Sequence, residues 1–232
     1  MPDREWWSVL WPDPEGVLKK LGVPRGEDAV DLCSGDGYFS GPLSRLAAPG
    51  KVYALELDLD TADRAREYLN VQGGGNCLVV EDDARNLAAH VPEPVAFALI
   101  ANTFHGIPGP ERRDLVHKVY EAVRPRGLFA IVNWHPLQRE QTPVLDEPHG
   151  PPTEMRMPLE QTRVAVEPSG FNLERVVELP PYHHGVVYYA RLIAPVFLVM
   201  IYAEGPVSGH RSSRQFMNRG SPSTLHHEVA GV

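Results

Sequence analysis

A short apolar run, Ala29-Val-Asp-Leu32, passes into Cys33-Ser-Gly-Asp-Gly37 and then into a segment carrying Phe39, Leu43 and Leu46. The run reads as a buried strand, the two glycines as a sharp turn, and the third part as a helix. Strand, glycine turn and helix N-terminus bring backbone N–H groups and bare Cα atoms close to a ligand. The rest of the chain is organised around this stretch. Asp31, at the strand end, narrows the ligand. A carboxylate there would repel a pyrophosphate, but it suits a molecule carrying ammonium and sulfonium charge.

At these residues the sequence resembles the class I S-adenosylmethionine-dependent methyltransferases, whose first motif is acid-x-Gly-x-Gly-x-Gly. Asp31-Leu-Cys-Ser-Gly-Asp-Gly37 fits it with Cys33, a small residue, in place of the first glycine. The resemblance implies S-adenosylmethionine as methyl donor and S-adenosylhomocysteine as product. It also implies that Asp31, Ser34, Gly35 and Gly37 lie around that cofactor. The main rival is the dinucleotide-binding fingerprint, which Gly35-x-Gly37 with the small Ser40 partly fits.

The chain has 232 residues, enough for one substantial domain with a core. A hydrophobic share of 43% is that of a soluble globule, and a formal net charge of -8 argues against a general nucleic-acid binder. Cys33 and Cys77 are too few for a disulfide framework, which points to the cytoplasm. The N-terminus has no basic region followed by an apolar core, so it does not read as a signal peptide. The apolar run Leu192 to Ala203 is shorter than the roughly 20 residues that cross a bilayer.

Asp13 as N-cap, Pro14 at the first helical position and Gly22 past the end mark a helix over 14–21. Trp6, Trp7 and Trp11 precede it, either packing it on the core or covering a ligand cleft. Lys51 to Glu56 reads as a second strand, and Thr61 as the cap of a helix bearing Ala62, Ala65 and Leu69. Cys77 to Glu81 is a third strand. Val95 to Asn102 is a fourth, apolar throughout, as at the centre of a parallel sheet. A helix from Pro110 and a fifth strand over Leu128 to Asn133 follow. Five alternations of strand and helix imply a doubly wound α/β sheet.

Pro136 to Pro158 is proline-rich and patternless, a candidate substrate lid. Leu159 to Glu167 reads as helix. Leu173 to Leu179 with Gly185 to Leu192 reads as an antiparallel hairpin, the ending that the resemblance implies for a seven-stranded Rossmann-like methyltransferase sheet with helices on both faces. The expected organisation is one domain over 1–203, with 1–27 as an N-terminal helical cover. A Gly/Ser/His/Arg-rich tail over 204–232 should be disordered.

Glu56 ends the second strand about 20 residues after the glycine turn, where a carboxylate can take both hydroxyls of a ribose. The resemblance gives Glu56 that role, with Leu57 beside it; a solvated strand end is the plainer alternative. After the third strand, Asp83 is implied to bond the adenine amino group while the Ala84 backbone reads the ring edge. Asp82 is the neighbouring register, and either acid could instead cap the turn before Leu87. Asn102, closing the fourth strand, completes the implied cofactor set.

His105 follows the fourth strand and His135 the fifth, so neighbouring strands would bring both imidazoles to the cleft mouth. Methyl transfer from a sulfonium is an in-line displacement that needs alignment and removal of a proton. An imidazole suits the second task, so His105 or His135 is the candidate general base. His183 and His184 sit at the expected hairpin turn. Four histidines could alternatively hold Zn or Cu, although no pair has a recognised helical ligand spacing.

The expected function is methyl transfer from S-adenosylmethionine to a small-molecule, partly apolar acceptor. Nucleic acid and membrane are not expected partners, and a homodimer is allowed. A nicotinamide-dependent oxidoreductase and a non-catalytic S-adenosylmethionine-binding protein are the alternatives. No tyrosine has a lysine four residues on, which removes the proton relay of the short-chain dehydrogenases.

Overall fold

The computed structural model describes residues 4–72 and 74–192. The apolar run 193–202, the expected tail and the domain boundary at 203 lie outside the described residues. Seven strands form one sheet in the order β3-β2-β1-β4-β5-β9-β8. They are β1 (Ala29–Leu32), β2 (Val52–Glu56), β3 (Cys77–Glu81), β4 (Val95–Ala101), β5 (Val123–Trp134), β8 (Phe171–Leu179) and β9 (His183–Ala190). The first five run parallel, while β9 is antiparallel to both β5 and β8. The strand order therefore reverses between β1 and β4, and a crevice at such a switch point is where open α/β sheets bind ligands.

Alternation along β4 shows how the sheet is clad. Ala98 and Ile100 face a core shared with Leu115, Val116 and Val119 of α5 (Gly109–Ala122) and Val166 of α6 (Leu159–Val166). Phe97 and Leu99 face the opposite core, against α2 (Pro14–Leu21) and α3 (Ser40–Ala47). Side chains two apart share a face of a strand, so both faces of a central strand must be apolar when helices cover both.

The capping signals of α2 act as expected. Asp13 accepts from the Gly16 N–H at 2.8 Å, and Gly22, at φ 84, closes the helix onto the Leu18 and Lys19 carbonyls. Ahead of it lies a second helix, α1 (Arg4–Leu10), which carries Trp6 and Trp7. In α4 (Leu59–Gln72) the cap is Asp58 and not Thr61. The Asp58 carboxylate accepts from both the N–H and the hydroxyl of Thr61, because it stands one turn earlier.

The loop after β5 holds a two-stranded hairpin of β6 (Pro143–Val144) and β7 (Glu147–Pro148). His183 and His184 are not at the turn of the closing hairpin but inside β9, paired with Trp134 and Asn133. Pro180-Pro181 makes the turn, because proline supplies no N–H to a ladder. Among the described residues no helix is long and apolar enough to cross a membrane.

Candidate active site

The glycine turn departs from β1 with three left-handed residues: Cys33 at φ 53, Gly35 at φ 60 and Gly37 at φ 81. Glycine takes this conformation freely, whereas a side chain costs about 1–2 kcal/mol there. Cys33 therefore sits where backbone geometry favours the glycine of the motif it resembles. Gly37 meets the next helix layer, since a Cβ on it would come within 3.3 Å of the Ala65 Cβ. Its part is close packing of the turn on α4, while Gly35 faces the cleft.

Two acids from adjoining strands frame the turn. Asp31 is 2% exposed, and its Oδ2 accepts from the Ser40 hydroxyl at 2.6 Å. Burial pushes its carboxyl up to about 7; the Ser40 hydrogen bond opposes that, and the Glu56 charge adds to it. Glu56, 5% exposed, accepts from the Gly35 N–H at 2.9 Å and from the Asp58 N–H at 3.1 Å. Those bonds hold its carboxylate at the lip of the turn.

Two cavities meet here. One, of about 440 Å³, is walled by Glu56, Leu57, Asp83, Ala84, Ile107 and Leu115 among others. The other, of about 70 Å³, is walled by Asp31, Ser34, Gly35, Tyr38, Asn102 and Trp7 among others. Cys33 and Thr103 line both, so the two are neighbours across the ends of β1 and β4. Apart from Gly37, every residue expected to touch the cofactor lines one of them.

Three polar atoms of the smaller cavity lack partners. The Ser34 Oγ and both side-chain polar atoms of Asn102 are buried without a hydrogen bond. Asn102 is also held at φ 56. Buried polar atoms are almost always paired, and strained residues cluster at ligand sites. A ligand presenting donors and acceptors at one end would satisfy them. The larger cavity suits a nucleoside, with a carboxylate at one end and apolar walls beyond. These residues fit S-adenosylmethionine.

Asp83 caps the 3-10 turn after β3 through the Arg85 N–H and ion-pairs with the Arg85 guanidinium at 2.6 Å. Asp82 bonds Asn86 and His90, each at 2.7 Å. Both acids line the larger cavity, yet each already serves the turn before Leu87.

The histidines diverge. His105 lies on the short turn Phe104–Gly106 after β4, with its Nδ1 buried and unpartnered. Burial, with the Arg112 and Arg156 charges adding, lowers its pKa to about 4, so the ring is neutral. His135 leans the other way, toward the edge of the sheet, with its Nε2 3.1 Å from the Glu178 carboxylate on β8. The His184 ring lies tilted against it, with centroids 5.0 Å apart. His183 is fully buried between Trp11 and Trp134, at 4.5 and 4.0 Å, and neither ring nitrogen has a partner. Among the described residues no three His, Cys, Asp or Glu side chains converge on a common point that could hold a metal ion.

Sequence reasoning missed Arg112 and Arg156. Arg112 carries no motif beyond its place on the helix after β4. Arg156 lies in the patternless loop, which folds back so that its guanidinium stands 5.0 Å over Trp134. The tryptophans divide their tasks: Trp6 and Trp11 are buried in the core, while Trp7 walls the smaller cavity.

The family model described as a methyltransferase domain matches residues 29–127, from the first residue of β1 into β5. A protein-L-isoaspartate O-methyltransferase of Aeropyrum pernix is 38% identical over 79 residues, 33% of this chain and 30% of that one. One from Methanococcoides burtonii is 33% identical over 98 residues, 41% of this chain and 47% of that one. The chain thus spans less than half the length of these curated relatives. Along most of its length it is similar to a solved S-adenosylmethionine-dependent methyltransferase of Aquifex aeolicus. The TM-score is 0.67 at 27% identity, covering 79% of this chain and 92% of that one. The acid-flanked glycine turn, the switch-point cleft and the antiparallel final strand are all in place, and with the domain match over residues 29–127 they support a class I S-adenosylmethionine-dependent methyltransferase family for this chain.

Proposed function

We propose that this chain transfers a methyl group from S-adenosylmethionine to a small-molecule acceptor by in-line displacement. The observation that carries the reading is the pair of acids, Asp31 and Glu56, lining two adjacent cavities, with the Ser34 and Asn102 polar atoms of the smaller one unpartnered. Asp31 would hold the ammonium end, Glu56 the ribose hydroxyls, and Asp83 with Ala84 the adenine. S-adenosylmethionine, when bound, supplies a methyl group made electrophilic by the sulfonium.

The chain's own residues then orient the acceptor and take its proton. His105 follows Thr103, a wall of both cavities, and its neutral ring can accept a proton. His135 pairs instead with the Glu178 carboxylate on the edge strand β8. His105 is therefore the favoured base. Trp7 screens the smaller cavity from water.

Calorimetric titration with S-adenosylhomocysteine tests the cofactor. Asp31→Ala and Glu56→Ala should each weaken binding more than tenfold, and near-wild-type affinity in both would end the assignment. NADH should not bind; tight NADH binding would favour an oxidoreductase. For the base, His105→Ala should cut turnover of labelled methyl groups while leaving cofactor affinity intact. Unchanged turnover would remove His105 from the mechanism.

A further inference from the structure

Arg156 is 4% exposed, yet every partner it has is neutral. Its Nε donates to the Pro151 carbonyl at 3.2 Å, and its Nη2 to the Thr142 hydroxyl at 2.9 Å and the His149 carbonyl at 3.0 Å. Its Nη1 is buried with no acceptor. Arg112, on α5, is half-buried and likewise has only neutral partners. Its Nη2 donates to the carbonyls of His105 at 3.1 Å and Ile107 at 2.6 Å, while its Nε is buried and unpartnered.

Among the described residues neither guanidinium ion-pairs with a carboxylate, whereas Arg4, Arg66, Arg85 and Arg163 all do. Glu140 acts on Arg156 from a distance and is offset by Arg139. Carbonyls can satisfy donors, but they do not neutralise charge, and a buried cation without a counter-charge is costly. Both guanidinium charges bear on His105, whose Nδ1 is a third buried atom without a partner. The cluster adjoins the cofactor cleft directly, because Arg112 tethers the segment whose Gly106 and Ile107 wall the larger cavity. In a chain of net charge -8 it is a local cationic exception.

We propose that the methyl acceptor is an anion whose carboxylate or phosphate group docks between Arg112 and Arg156, beside His105. The inference rests on the methyltransferase reading and names the substrate class of that same site. An oxyanion would give Arg156 Nη1 and Arg112 Nε the charged acceptor that the chain withholds, and it would bring the acceptor molecule to the proton-accepting ring.

The test uses the full chain saturated with S-adenosylhomocysteine, titrated with sodium benzoate, neutral benzamide or inorganic phosphate while tryptophan fluorescence is followed. Trp134, under Arg156, is the reporter. Benzoate or phosphate should bind at least tenfold more tightly than benzamide. Arg112→Gln and Arg156→Gln should each weaken that anion at least tenfold while leaving S-adenosylhomocysteine affinity within about twofold. Because Arg156 also staples its loop, Arg112→Gln and the benzoate–benzamide comparison on the unaltered chain carry the test should Arg156→Gln misfold. Benzamide binding as well as both anions, or anion affinity unchanged in Arg112→Gln, overturns the inference. Failure of S-adenosylhomocysteine to bind the unaltered chain would instead sink the methyltransferase reading beneath it.

Discussion

Asp31 shows how one residue links binding to stability. With its carboxyl raised from 3.8 to about 7, the ligand-free fold prefers this acid protonated, whereas the unfolded chain releases the proton. A group of this kind lowers stability progressively as pH rises between the two values. His105 and His184, lowered from 6.5 to about 4, work in the opposite sense, since the fold prefers them neutral and gains stability as pH rises toward 6.5. The difference between wild type and Asp31→Asn isolates the acid. In urea unfolding, wild-type stability minus that of the variant should decline as pH rises from about 4 to about 7 and then level off. A difference that stays constant across that range would show that Asp31 is ionised in the ligand-free fold. A cationic ligand needs the ionised acid, so its binding should strengthen over the same interval.

Among the elements, α1 gives the smaller cavity one wall through Trp7. Arg4 bonds the Asp36 carboxylate at 3.1 Å and lies 3.5 Å over the Tyr68 ring. The Tyr38 hydroxyl donates to the Trp7 and Trp11 carbonyls, which fixes the C-terminal side of the helix. Asp36 and Tyr38 both belong to the glycine turn, so the turn that would hold the cofactor also holds α1. Tyr38→Phe removes the hydroxyl and keeps the ring. It should cost about 1 kcal/mol of stability. It should also weaken S-adenosylhomocysteine binding several-fold, read by calorimetric titration. Unchanged affinity with lowered stability would separate α1 from the ligand cavity.

For the whole molecule, the sheet with two clad faces sets the stability. Leu99 and Ile100 are adjacent on β4 and both fully buried, but they serve opposite cores. Leu99→Ala and Ile100→Ala should therefore each cost about 2–5 kcal/mol in denaturant unfolding. Being in separate clusters, the two changes should nearly add. Val71→Ala, at a site 82% exposed at the end of α4, should stay within about 0.5 kcal/mol. A core loss no larger than that control would show that β4 is not the centre of the packing.

The sequence by itself determined the seven strands of the main sheet in outline, though not the small β6–β7 hairpin, and with them the alternation with helices, the caps of α2 and the acids at the ends of β1 and β2. Those features are written in local patterns of period two, of period 3.6, and of glycine, proline and Asx chemistry. It did not determine that α1 would pack its tryptophans against the glycine turn. Nor did it show that His183 would be buried in β9, or that His135 would turn to Glu178 at the sheet edge. The tertiary structure alone brought Arg112 and Arg156 to His105, from a helix and from a loop without periodicity. The physical reason is that the charge balance around a buried guanidinium is a sum over neighbours distant in the chain, which no local spacing records.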